Sequence, residues 1–147
     1  MTIRLEWEPH GTLFYLSDQI TFQDFLDLHK TYTNDVRIKD VKYSIFVYEP
    51  GAHFLLSDEQ LDQTIALESE AQITERKIIW AVVTQDDDIK TQLAKMYFNN
   101  PIRLCDSLAE ARTYIEQLLT LESHELDDTQ RLVKSIMGLD IGKNKFN

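Results

Sequence analysis

The run KIIWAVVT at positions 77–84 constrains this chain more than any other stretch. It is apolar almost without interruption, which suits a strand covered on both faces and hence a largely parallel sheet with helices packed on it. The surrounding pattern agrees. YSIFVY at 43–48 is rich in aromatic and β-branched residues and reads as a central strand, and IRLC after Pro101 reads as a short last one. At the N-terminus TIRLEW alternates, with Ile3, Leu5 and Trp7 on one face, and TLFYL at 12–16 follows after the short link EPHG. So brief a connection predicts an antiparallel hairpin.

Between these strands the apolar spacing changes to that of helices. Thr21 and Asp24 resemble a capping box before Phe22, Phe25, Leu26 and His29, which stand at i, i+3, i+4 and i+7. Ser57 and Gln60 form another such pair, opening a helix with Leu61, Ile65 and Leu67 on a weak apolar stripe. Asp86 to Asp88 open a third helix carrying Ile89, Leu93, Met96 and Tyr97, and Ser107 and Glu110 cap a fourth with Leu108, Ala111, Ile115, Leu118 and Leu119. NDVRIKDVK at 34–42 is polar and turn-like. After the acidic stretch 122–128, a further helix carries Leu126, Val133, Ile136 and Met137 before Gly138, and GKNKFN is expected to fray.

Strands alternating with helices imply crossovers packed on one layer. The expected fold is α/β: a single mixed five-stranded sheet with an N-terminal hairpin and crossover helices over residues 1–120, then a C-terminal helix and tail over 121–147. A length of 147 residues suffices for one proper core.

Charge and composition narrow the partners. A formal charge of −10 makes nucleic acid or an anionic lipid surface a poor fit, and basic protein surfaces or cations a better one. No apolar run reaches the roughly 18 residues of a membrane span, and no signal-peptide core is present. The lone cysteine, Cys105, fits a reducing compartment, so the expectation is a cytoplasmic protein without integral membrane association.

The motifs of chemistry are thin. The only glycines are Gly11, Gly51, Gly138 and Gly142, which leaves no loop able to cradle a phosphate. His10, His29, His53 and His124 stand singly, without the paired spacing of zinc ligands, and His29 on its helix stripe reads as a hydrogen-bonded, partly buried side chain. Cys105 within a strand reads as a small buried hydrophobe. Asp86, Asp87 and Asp88 follow a buried strand, where receiver domains hold a cation. A lysine after the last strand is missing, however, and helix capping accounts for the acids. No enzyme, cofactor or metal is expected.

KIIWAVVTQDDDIKTQLAKMYFNNPIRLCDSLAEARTYIEQLL, residues 77–119, resembles the second half of bacterial SpoIIAA-like proteins of the STAS superfamily, with the S-x-x-E-A signature at Ser107, Leu108, Ala109, Glu110 and Ala111. The resemblance implies a non-catalytic regulatory domain that engages a protein partner or, in some relatives, a small or apolar ligand. It also implies a phosphorylatable serine in a D-S-S-G-like turn after the central strand. The corresponding residues here are Tyr48, Glu49, Pro50, Gly51, Ala52 and His53, with no serine, so the phosphoserine switch does not carry over. Ser57 nearby is an N-cap whose neighbours Asp58 and Glu59 would oppose a phosphate.

The expected function is therefore a non-enzymatic STAS-like module binding a protein partner in a regulatory or signalling setting. Its contact surface would be the loop at 50–56 and the acidic helix after it, with His53, Phe54, Leu55, Ser57, Asp58, Glu59 and Asp62 as binding candidates. From Phe54 to Glu75 the chain has no Lys or Arg. The alternative is a carrier of a small apolar ligand or lipid, or a weak enzyme, with a pocket under residues 53–56 and His53 at its mouth. A third reading is a homodimer through the apolar stripe of the C-terminal helix.

Overall fold

The structure, a computed structural model, describes residues 3–72, 78–96 and 102–137. Tyr97, Gly138 and the tail expected to fray lie outside the described residues, as do the side chains of Ile65, Met96, Leu126 and Met137. The chain divides into two compact units, residues 1–113 and 114–147.

The first unit is built on a sheet of β1 (Ile3–Glu8), β2 (Gly11–Leu16), β4 (Tyr43–Tyr48), β6 (Ile79–Val83) and β7 (Arg103–Cys105), in that spatial order. β1 and β2 pair antiparallel, and β2–β4, β4–β6 and β6–β7 pair parallel, so the fold is the mixed five-stranded α/β layer expected from the apolar runs. The N-terminal hairpin supplies the antiparallel edge. A second, two-stranded parallel sheet joins β3 (Gln19–Thr21) to β5 (His53–Leu55), two strands too short to show a period.

The pleat sorts the residues of each strand to two faces. Ile3, Phe14, Leu16, Phe46, Tyr48 and Val82 form one buried face. Against it pack Phe25, Leu28 and Tyr32 of α1 (Phe22–Thr33), Leu61 of α2 (Asp58–Gln72), and Ile89 and Leu93 of α3 (Asp87–Met96). The apolar stripe of α1 is thus rotated from the expected Phe22, Phe25, Leu26 and His29. Leu28 and Tyr32 join Phe25, and His29 falls at the margin. The turn-like segment after α1 holds a 3-10 turn, Val36–Asp40, from which Arg37 lies 4.3 Å over the Trp7 ring and pairs with Asp35 at 2.8 Å. Leu13, Ile45, Ala81, Val83 and Cys105 occupy the other face of the sheet and are buried as well.

Caps fix the helix starts. Thr21 and Asp24 form a complete capping box on α1. Ser57 accepts from the Gln60 N–H and Gln60 from the Ser57 N–H. The Asp86 carboxylate accepts from the Ile89 N–H, and Ser107 accepts from the Glu110 N–H. One expectation is corrected at the C-terminus: α4 runs unbroken from Leu108 to Met137, because the acidic stretch 122–128 holds no Gly or Pro to stop a helix. In the second unit this helix exposes Leu121, Leu132, Val133 and Ile136. No described helix is long and apolar enough to cross a membrane.

Candidate interaction surface

The segment between β4 and α2 is a built surface. Its turn is Glu49-Pro50-Gly51-Ala52, closed by the Ala52 N–H donating to the Glu49 carbonyl at 3.0 Å. Gly51 sits at φ +89°, so the turn is type II: proline presets the first corner and glycine supplies the positive φ of the second. Two further backbone bonds tie the segment to the first half of the chain. The Glu49 N–H donates to Leu16, and the His53 N–H donates to Asp18, itself held at φ 56°. β5 then pairs with β3 in register His53–Gln19, Ile20–Phe54 and Thr21–Leu55.

This pairing decides where the three consecutive apolar residues point. Phe54 turns inward, its ring 6.1 Å from Phe25 and 5.6 Å from Tyr48, and Leu56 packs on the same core. Leu55 faces outward and is 55% exposed. A cavity lies between α1, α2 and the sheet, with Phe25, one of the rings Phe54 meets, in its lining. His53 is exposed, its Nδ1 3.1 Å from the Gly51 carbonyl.

Immediately beyond, Ser57 is spent on its cap. Asp58, Glu59 and Asp62 are all exposed on the first turns of α2. The structure therefore brings Leu55, Asp58, Glu59 and Asp62 onto accessible surface close together in sequence, and withdraws Phe54 from it.

Asp86 and Cys105 have structural roles. Asp86 is a cap, with Asp87 and Asp88 exposed in the first turn of α3. The Cys105 thiol is buried, and burial, seconded by Glu110, pushes its pKa up, the opposite of what a nucleophile needs. Among the described residues no three of His, Cys, Asp and Glu gather as a metal site would require.

One cluster escaped the sequence reading. Glu8 at the end of β1 takes a bidentate pair of bonds from Arg112 of α4, at 3.0 and 2.7 Å, and a further bond from the Tyr43 hydroxyl. The Arg112 guanidinium holds the Glu8 carboxylate below its ordinary range, while burial, seconded by Glu8, pushes the Tyr43 hydroxyl up to about 12. Its partners are 104 residues apart in the chain, and no local spacing announces them. The one local sign is Gly11: a Cβ there would lie 2.2 Å from atoms of the Tyr43 ring, so only glycine lets that ring lie across β2.

No family model matches the chain, and no curated protein matches it. Among solved structures it is similar to the anti-sigma factor antagonist SpoIIAA in its unphosphorylated form, at 12% sequence identity and a TM-score of 0.49 over 78% of this chain and 97% of that one.

Proposed function

We propose that the chain is a non-enzymatic interaction module that docks a protein partner on residues 50–62, in a regulatory setting and without a phosphoserine switch at the turn. The observation that carries this reading is the exposure of Leu55, 55% exposed on a strand anchored by backbone bonds, and of the carboxylates of Asp58, Glu59 and Asp62 that follow it in the sequence. An apolar anchor with a charged rim is the anatomy of a protein interface, and a rim of one sign steers toward a basic partner. The type II turn and the β3–β5 pairing hold the anchor in place before binding, which lowers the ordering cost of association. The turn itself reads Glu49-Pro50-Gly51-Ala52 and has no hydroxyl to phosphorylate.

Affinity capture with the full chain tests the surface. Charge reversal at Asp58, Glu59 and Asp62, or Leu55→Asp, is expected to remove the partners held by the wild type. An unchanged set of partners would rule this surface out. The exposure of Leu121, Leu132, Val133 and Ile136 favours a second reading, self-association through α4. Sedimentation would then show a dimer that Leu132→Glu with Ile136→Glu converts to a monomer, whereas a monomeric wild type would sink it.

A further inference from the structure

A cavity of about 60 Å³ lies between α1, α2 and the sheet. A lone water needs only roughly 10–15 Å³, so the space exceeds that of a single water. Its floor is Phe14, Phe46 and Trp80 from three neighbouring strands, and α1 adds Phe25 and Tyr32. Phe14 and Phe46 stack at 4.7 Å, Tyr32 stands edge-on to Phe14 at 5.6 Å, and Trp80 is tilted against Phe46 at 5.8 Å. A flat ring entering here meets both faces and edges of other rings, the arrangements aromatic pairs prefer.

The polar lining restricts the ligand further. Among the described residues none that lines the cavity is Asp, Glu, Lys or Arg, so a charged molecule would lose its hydration with no counter-charge from them to replace it. Among the described lining residues, His29, Tyr32, Ser44, Thr64 and Trp80 carry a polar side-chain group. The Ser44 and Thr12 hydroxyls share a buried bond at 2.7 Å, and Thr64 donates to the Gln60 carbonyl at 2.9 Å. The His29 ring, by contrast, makes no hydrogen bond among the described residues, although its backbone carbonyl accepts from Thr33. Half-buried at the cavity, that imidazole has a nitrogen to offer a ligand. A purely aliphatic ligand would leave it unused.

We infer that this cavity binds a small uncharged aromatic molecule of one ring carrying one hydroxyl or similar hydrogen-bonding group. The ring lies among Phe14, Phe46 and Trp80, and the polar group meets His29. The site is separate from the surface at residues 50–62, and either can fail without the other.

Titration of the full chain with phenol, toluene and benzoate, followed by amide NMR shifts, tests it. Phenol is expected to give saturable shifts at the cavity-lining residues. Toluene should bind more weakly by roughly three- to tenfold, the worth of one hydrogen bond, and benzoate should give no shifts there. His29→Phe should leave toluene binding in place and erase the advantage of phenol, while Leu67→Trp, which fills the space, should abolish both. Should Leu67→Trp not fold, the wild-type shift map decides. The inference is overturned by absence of saturable phenol shifts, by shifts lying away from the cavity, by benzoate binding as well as phenol, or by an advantage of phenol that survives His29→Phe.

Discussion

The two faces of the main sheet are made by alternate residues of the same strands, yet they pack differently. One face presents Phe14, Phe46 and Trp80 to α1 and α2, and its rings leave a cavity of about 60 Å³. The other presents Leu13, Ile45, Ala81, Val83 and Cys105, all buried, and ends at a corner where Glu8, Tyr43 and Arg112 satisfy one another. Rigid planar side chains bury much area but meet at fixed angles, whereas branched aliphatics and small residues interdigitate. The contrast teaches that a single sheet can pack one face with branched and small side chains and the other with rings that leave a cavity.

The largest expected effect pits Phe46 against its neighbour Ile45, which points to the opposite face. Phe46→Ala should cost about 3–5 kcal/mol and Ile45→Ala about 2–5 kcal/mol in urea unfolding. The sharper difference lies in rescue. The vacancy left by Phe46 merges with an existing apolar cavity, so benzene should raise the melting temperature of Phe46→Ala and leave that of Ile45→Ala unmoved. Equal rescue of both would erase the distinction between the faces.

A smaller effect probes how tightly the structural corner is closed. Gly11→Ala should cost about 1–3 kcal/mol, the range for forcing extra volume into a packed site, since the new methyl collides with the Tyr43 ring. Combining it with Tyr43→Ala should cost less than the sum of the two changes, because the second removes the obstacle. Strict additivity in the double-mutant cycle would mean the ring is not what Gly11 accommodates.

The same contrast explains what could be read from the sequence. The parallel core was legible in KIIWAVVT and YSIFVY, because strands buried on both faces lose their alternation, and the helix starts were legible in Thr21, Ser57, Asp86 and Ser107. The exposed acids Asp58, Glu59 and Asp62 were legible as a polar run after a cap. What was not legible depended on angles and distant partners. A rotation of α1 put Tyr32 on the core and His29 at the cavity. The inward turn of Phe54 depended on a three-residue strand pairing with β3, which a left-handed Asp18 makes possible. Arg112 met Glu8 across most of the chain.

The smallest expected effect is a dependence on pH that belongs to the structural corner alone. Glu8 is held below its ordinary value of 4.5, so its contribution to stability is complete above that value and is lost as pH falls through the lowered one. Tyr43 is shifted the other way, from 10.0 to about 12, so the fold favours its protonated form; that contribution is complete below about 10 and fades as pH rises toward 12. Both side chains are partly solvated, which keeps the effects modest. Tyr43→Phe should flatten the alkaline limb of urea stability measured between those values while leaving most of the acid limb, which Arg112 controls. Glu8→Gln should flatten the acid limb and also bring the Tyr43 hydroxyl back toward its ordinary value, since Glu8 is one of its two main perturbers. If Phe14→Leu, on the aromatic face, altered either limb as much as these substitutions do, the two faces would be coupled through the sheet and the division between them would fail.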